Sequence, residues 1–110
     1  RHQIAKHYLE NINNPKIILP YIAKNFNHSW HLFVIKCKDG NKLRGYLLKN
    51  KIETMIHYPK PAYKQPAFKE YNLKKFPITD KIYSEILSIP IFPTLKNTEI
   101  KHITKILNKI

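Results

Sequence analysis

The sequence predicts an α+β domain in which a small, mainly antiparallel sheet is covered by helices. Its 110 residues and 43% hydrophobic content suit one domain with a single core. Apolar residues recur at helical spacing in four segments, and three others have the apolar or alternating pattern of strands. The expected order is helix, strand, helix, strand, loop, helix, strand, helix.

The first half of the chain predicts two helices and the two longer strands. Residues 4–12 place apolar side chains on one helical face. Residues 30–37 are apolar on both alternating faces, which is typical of a buried strand. A turn is expected at 39–41, followed by a short helix that ends near residue 50. Residues 52–58 carry alternating β-branched side chains and predict the second strand.

The second half begins with an irregular segment, because residues 58–66 contain three prolines that remove backbone donors. Pro66 can open a short helical turn. Thr79 is the expected N-cap of the third helix. Residues 88–93 are short and rich in proline, so they predict an edge strand. Asn97 is the expected cap of the last helix.

The net charge of +13 raises the possibility of a polyanionic partner. Lys, Ile and Asn supply 45 of the 110 residues, a bias that A/T-rich codons produce without selection for binding. The lysines are scattered, and the chain has only two arginines, the residue type that nucleic-acid domains usually concentrate. A stand-alone basic module that binds RNA or an acidic protein is therefore the alternative hypothesis rather than the favoured one.

Several chemistries are disfavoured by composition. Two glycines are too few for a glycine-rich cofactor loop, and the single Cys37 can form neither an internal disulfide nor a cysteine-rich zinc site. The six histidines lack metal-ligand spacing, so no metal site is expected. Cys37 is expected to be a buried structural thiol. No apolar run reaches the length of a membrane span, and a cytoplasmic location is expected.

Two polar and aromatic clusters are candidate ligand sites. The first is 27–31, where Asn, His, Ser, Trp and His precede the buried strand. The second is 57–66, which follows the other long strand and begins with His57 and Tyr58. Side chains at strand ends beside a rigid loop often contact ligands. The competing interpretation is that the prolines only stiffen the loop over packed aromatic rings.

A series of motifs runs in order through nearly the whole chain. It includes HSWHLFVI at 28–35, KIET at 51–54, HYPKP at 57–61, QPAF at 65–68 and EILSIPIFP at 85–93. This series resembles the C-terminal small domain of the DegT-type aminotransferases, pyridoxal-phosphate enzymes that aminate keto sugars on nucleotide carriers. The resemblance implies the fold of the small domain of fold-type I pyridoxal-phosphate transferases.

The resemblance also implies an activity. An amino group, usually from glutamate, would pass to a nucleotide-linked keto sugar used for cell-surface polysaccharide or secondary-metabolite synthesis, in a homodimeric enzyme. His57 and Tyr58 would contact the substrate, with His31 and Gln65 behind or beside them. The family's Schiff-base lysine, pyridinium-pairing aspartate and phosphate-binding residues belong to a large N-terminal domain. No catalytic or cofactor-binding residue is therefore assigned within this chain.

The chain departs from the family pattern at two places. Many relatives have Arg-Asp where this chain has Asn41-Lys42, and a histidine where it has Tyr63. Both differences leave the identity of the sugar open. The helical pattern also starts almost at Arg1, without a lead-in. Residues 1–110 are therefore expected to be a single domain cut from a longer aminotransferase, inactive alone and without bound pyridoxal phosphate.

Overall fold

The computed structural model describes residues 1–71 and 74–110, and within them the predicted α+β class is confirmed. The described residues form four α-helices, two β-strands and two short 3-10 helices. In chain order they are α1 (His2–Asn11), β1 (Phe33–Lys36), α2 (Gly40–Lys49), the 3-10 helices Ala62–Lys64 and Pro66–Tyr71, α3 (Pro77–Glu85), β2 (Ile86–Ile89) and α4 (Asn97–Leu107).

The two strands pair antiparallel, with Phe33 opposite Ile89 at one end and Lys36 opposite Ile86 at the other. Single residue pairs extend this sheet on both sides. Ile18 forms a bridge to Lys36 beyond β1, and Met55 forms a bridge to Ser88 beyond β2. Four stretches of chain therefore lie side by side, although only two of them are regular strands.

The sheet has one face in the core and a second face that is partly exposed, with Ile18 and Met55 exposed at its edges and Ser88 buried at its centre. Phe33, Ile35, Leu87 and Ile89 are buried among apolar side chains of the helices. Tyr8 of α1 lies edge-on to Phe33, with ring centroids 5.1 Å apart. Because successive strand residues point to opposite faces, the other set forms what we call the open face. Its members are Ile18, Val34, Lys36, Met55, Ile86 and Ser88.

The prediction of a second strand at 52–58 was wrong in its extent. Only Met55 pairs there: its N–H donates to the Ser88 carbonyl at 3.2 Å, and its carbonyl accepts from the Ser88 N–H at 2.8 Å. Pairing does not continue because the chain enters the proline-rich loop. Pro59 and Pro61 lack the N–H groups that a ladder needs.

The prediction of an edge strand at 88–93 was also wrong. The strand forms earlier, at Ile86–Ile89, and lies between β1 and Met55 rather than at an edge. Pro90 follows it directly. Proline cannot donate to a ladder, so it ends the strand without preventing a central position for the residues before it.

The second helix begins within the predicted turn. Asp39 is its N-cap, with Oδ1 accepting a hydrogen bond from the Lys42 N–H at 2.9 Å. Gly40 is the first helical residue, and a Cβ there would lie 2.8 Å from the Ser84 carbonyl oxygen of α3. The glycine is required because two helices approach closely at this point.

Two helix starts differ from the predicted caps. The third helix begins at Pro77 rather than after Thr79, consistent with the preference of proline for a first helical turn. Asn97 is the first residue of α4 rather than its cap. The N-terminus of α4 is stabilised instead by Glu99, whose carboxylate accepts a hydrogen bond from the Lys96 N–H at 2.7 Å.

Candidate functional site

His57 lies on the open face and is held by β2. Its Nδ1 is 3.0 Å from the hydroxyl oxygen of Ser88. Ser88 is only 7% exposed, and its backbone is paired with Met55, two residues before His57. The pairing therefore brings the imidazole to the hydroxyl. This contact engages one ring nitrogen, and Nε2 is the nitrogen that can bind a ligand.

Tyr58 projects from the same corner of the sheet and is 70% exposed. The His57–Tyr58 peptide bond is cis. The phenol ring lies edge-on to the imidazole, with centroids 6.0 Å apart. Pro61 is buried just beyond it, and the 3-10 helix Ala62–Lys64 follows. The aromatic and imidazole groups thus stand at the start of an ordered loop.

The far part of this loop is tied to α3 by one carboxylate. The Tyr63 hydroxyl donates to Oδ1 of Asp80, and the Lys64 ammonium lies 2.7 Å from the same oxygen. The hydrogen bond from Lys64 is the main cause that lowers the pKa of Asp80, and the hydrogen bond from Tyr63 lowers it further. Burial and the bond to Asp80 raise the pKa of Tyr63, whereas the bond to Asp80 is the main cause that raises the pKa of Lys64. We call these three residues the loop anchor.

Gln65 lies in the same loop, directly after the anchored residues. Its side chain is exposed, and its backbone N–H donates to the Ala62 carbonyl at 3.0 Å. The backbone carbonyl accepts from the Phe68 N–H at 2.9 Å. The main chain of Gln65 is therefore fixed on both sides, whereas its amide faces solvent.

His31 lies in the segment that precedes β1, and its side chain is exposed. Phe33, two residues later, pairs with Ile89 of β2, whereas the His57 imidazole reaches Ser88 of β2 from the side of Met55. The structure thus places His57, Tyr58 and Gln65 on one stretch of chain and His31 on another.

Two residues of the first predicted cluster, His28 and Trp30, have a structural role. Trp30 is 4% exposed and stacks on Phe33, with centroids 5.3 Å apart. His28 accepts the Trp30 backbone N–H on Nδ1 at 2.9 Å and packs against the indole. Trp30 also has a φ of 52°, a left-handed conformation that is unfavourable for a bulky residue. The predicted strand from residue 30 is accordingly shorter and begins at Phe33.

Ser88 and Asp80 are two contacts that the sequence analysis missed. Ser88 was assigned only to a strand, and Asp80 had no assigned role. A polar residue in the middle of the apolar run ILSIPIF at 86–92 was the available signal, since a buried hydroxyl needs a partner. No comparable signal marked Asp80, because a single acidic residue in the first turn of a helix is common.

Cys37 lines a half-open groove of about 690 Å³ at the end of β1, together with Ile17, Ile18 and Leu43. The thiol is half-buried rather than fully buried. Burial raises its pKa, with a smaller contribution from the nearby carboxylates, and a raised pKa disfavours the nucleophilic thiolate. Cys37 therefore lacks the electrostatic setting of a catalytic cysteine.

Within 1–71 and 74–110, no group of three or more His, Cys, Asp or Glu side chains is placed to hold a metal ion. No helix in that part of the chain is long and apolar enough to cross a membrane.

Residues 1–108 match the model of the DegT/DnrJ/EryC1/StrS aminotransferase family, so the chain belongs to this family. It is 40% identical over 109 residues to the dTDP-3-amino-3,6-dideoxy-alpha-D-galactopyranose transaminase of Aneurinibacillus thermoaerophilus, covering 99% of this chain and 30% of that protein. It is 33% identical to the erythromycin biosynthesis sensory transduction protein EryC1 of Saccharopolyspora erythraea, covering 94% of this chain and 29% of that protein. The chain thus spans about 30% of the length of these relatives.

Solved structures share the fold of this chain. DesV of S. venezuelae, in complex with a ketimine intermediate, superposes with a TM-score of 0.90 at 26% identity, over 98% of this chain and 30% of that one. NtdA of Bacillus subtilis, with bound cofactor PMP, has the same fold, with a TM-score of 0.80 at 24% identity over 97% of this chain and 26% of that one.

Membership of the family implies pyridoxal phosphate, a cofactor that forms a Schiff base with a lysine side chain of the enzyme. All 18 lysines lie in the described part of the chain, and none is buried. Lys36 is the most enclosed, with 40% of its side chain exposed. These residues do not by themselves form the enclosed lysine site that the cofactor needs. We therefore assign no step through the cofactor to them.

Proposed function

We propose that this chain is the C-terminal domain of an enzyme that transfers an amino group, from glutamate, to a keto sugar on a nucleotide carrier. The observation that carries the proposal is the family match over residues 1–108, together with a 40% identical relative named as a nucleotide-sugar transaminase. The product sugar would enter cell-surface polysaccharide or secondary-metabolite synthesis. The intact protein would be a cytoplasmic homodimer with pyridoxal phosphate in a large domain outside this chain.

In this proposal the open face and the proline-rich loop form one wall of the substrate cleft. Ile18 and Met55, at opposite edges of the open face, are both 59% exposed. Exposed apolar groups on a sheet face are typical of a surface that another domain covers. His57 and Tyr58 stand at the edge of that face, so the covering domain and these two polar groups would meet around the same ligand.

Each proposed contact residue has a chemical role. His57 would offer Nε2, and Tyr58 its hydroxyl, to oxygen atoms of the sugar or diphosphate. Gln65 would add an amide from the same loop. His31, in the segment before β1, would lie behind or beside these groups. The exposed lysines add a positive field that favours a diphosphate.

The contact residues are tested in the full-length enzyme with His57→Ala and Tyr58→Phe. Each lost hydrogen bond is worth about 0.5–1.5 kcal/mol, or up to about 3 kcal/mol if charged, so turnover of the nucleotide sugar should fall a few-fold to ~100-fold. Cofactor loading and the reaction with the amino donor should not change. Exposed residues of the same types serve as controls, in His2→Ala and Tyr21→Phe. Unchanged sugar kinetics in both test variants would show that His57 and Tyr58 are not substrate contacts.

The 110-residue chain itself tests the domain assignment. When the chain is incubated with pyridoxal phosphate, glutamate and a keto-sugar nucleotide, it should not convert the sugar nucleotide. The reason is that no enclosed lysine is present in the described residues. Sustained turnover would contradict the proposal. A steep loss of oligonucleotide affinity with salt would instead support a basic binding module.

The open face can be tested by self-association. Without a covering domain, the chain should self-associate through this face, and Met55→Lys should shift sedimentation toward monomer. Ile78→Lys is the control, because Ile78 is also exposed but lies on α3. A wild-type chain that remains monomeric, or equal effects of the two substitutions, would argue against a covered open face.

A further inference from the structure

The buried hydroxyl of Ser88 has a single hydrogen-bond partner within the described residues, the imidazole Nδ1 of His57. Ser88 sits in the centre of the four paired stretches, with Val34 opposite it on one side and Met55 on the other. Both of its backbone groups are bonded to Met55. The hydroxyl is therefore fixed in place, and the imidazole is oriented against it.

The direction of this hydrogen bond follows from the cost of a buried hydroxyl. If His57 donated from Nδ1, the Ser88 proton would have no acceptor within the described residues. An unmade hydrogen bond of a buried donor is more costly than an unused lone pair of an oxygen that already makes one bond. Ser88 therefore donates and Nδ1 accepts. A neutral imidazole that accepts on Nδ1 carries its proton on Nε2.

We propose that Ser88 is a positioning residue that holds His57 in the Nε2–H tautomer and directs that N–H to an acceptor oxygen of the substrate. A sugar hydroxyl or a diphosphate oxygen has the required chemistry. The substrate part of this inference rests on the proposed function. The tautomer part rests only on the Ser88–His57 contact, and so the two parts can fail separately.

The tautomer is measured directly in the full-length protein with ¹⁵N-labelled histidine, at a pH well above the ordinary pKa of an imidazole. The His57 signals are assigned by their loss in His57→Ala. The wild-type ring should show an unprotonated Nδ1 and a protonated Nε2. Ser88→Ala should give a mixture of tautomers, and Ser88→Thr, which retains a hydroxyl, should restore the wild-type pattern. A wild-type ring protonated on Nδ1, or a spectrum unchanged in Ser88→Ala, would overturn the proposal.

Kinetics of the same variants test the substrate part. Ser88→Ala should raise KM for the nucleotide sugar roughly two- to tenfold and leave the reaction with the amino donor unchanged, and Ser88→Thr should recover most of the loss. Thr104→Val is the matched control, because Thr104 is also 7% exposed and its hydroxyl donates only to the Ile100 carbonyl within α4. It should leave both KM and the His57 spectrum unchanged.

The combined outcomes separate the two proposals. A wild-type Nε2–H tautomer with no change of KM in His57→Ala would reject His57 as a substrate contact but retain the Ser88 contact. If Ser88→Ala does not fold, the wild-type spectrum and Ser88→Thr still decide the tautomer. An equal rise of KM in Ser88→Ala and Thr104→Val would show that Ser88 affects KM only through the stability of the protein.

Discussion

The two histidine-containing clusters look alike in the sequence but differ in the structure. In the first, His28 bonds a backbone N–H two residues away and packs on Trp30, which is buried. In the second, His57 bonds Ser88, 31 residues away, and Tyr58 next to it is exposed. In the first cluster, the hydrogen bond of His28 is made within the cluster. In the second, His57 is held by a residue distant in sequence, and the neighbouring Tyr58 is exposed to solvent.

From this difference we expect a folding role for His28 and Trp30, and the proposed binding role for His57 and Tyr58. A local hydrogen bond such as that of His28 satisfies a backbone donor, so substitution of the histidine should lower the stability of the protein. A long-range contact such as that of His57 orients a side chain whose other edge is available. Substitutions in the two clusters should therefore affect different measurements, and the following predictions start with the largest effect.

Trp30→Ala should reduce the free energy of unfolding by about 3–5 kcal/mol, because it leaves a cavity beside Phe33. Tyr58→Ala should change it by no more than about 0.5 kcal/mol, because the ring is mostly exposed. Urea unfolding of both variants checks this contrast. Similar losses would mean that Tyr58 packs under its loop and that the two clusters do not differ.

His28→Ala should reduce the free energy of unfolding by about 0.5–1.5 kcal/mol through loss of the bond to the Trp30 N–H. It should leave KM for the nucleotide sugar unchanged, in contrast to His57→Ala. Parallel unfolding and steady-state measurements on the full-length enzyme would decide. A changed KM in His28→Ala would show that His28, in addition to His31, takes part in substrate binding.

Asp80→Asn should loosen the loop of the second cluster without large loss of global stability. Lys64 and Asp80 are half-exposed, and such pairs contribute little to folding. Tryptic cleavage after Lys69 should become about two- to fivefold faster, whereas Lys60 is protected from trypsin by the following Pro61. Glu10→Gln is the control, because it removes an exposed pair with Lys6 on α1. Equal cleavage rates in wild type and Asp80→Asn would show that the loop anchor does not restrain the loop.

The loop anchor should also respond to pH at both extremes. The pKa of Asp80 is lowered, so its contribution is present above the unfolded pKa and is lost as pH falls through the folded one. The pKa values of Tyr63 and Lys64 are raised, so their contributions are lost as pH rises through the folded values. NMR signals of Tyr63 and Phe76, whose rings are 4.6 Å apart, should shift in both ranges. A shift in neither range would contradict the anchor.

The fold was predictable where a local pattern repeats. The helical face of 4–12 became α1, and the apolar run after Trp30 contains β1. The extent of the strands was not predictable, because the alternation at 52–58 looks like a strand until its pairing is known. The order of strands in the sheet depends on contacts between distant segments, which no local pattern specifies.

The candidate site shows the same division. His57, Tyr58 and Gln65 were predictable as a group, because they share one proline-stiffened loop. The placement of His31 relative to this loop depends on how the segment before β1 packs, and the support of His57 depends on the position of Ser88. Both features depend on contacts between segments that are distant in the sequence.

The class of fold, the four helices, the irregular loop and the family were all predictable from the amino-acid sequence. These depend on periodicity, proline positions and ordered motifs, which are properties of short stretches of chain. Three features could be seen only in the folded molecule: which face of the sheet is covered, which histidine contacts a buried hydroxyl and which one is bonded to the local backbone. These features depend on which backbone and side-chain groups meet across the sheet, and that is set by packing of the whole core.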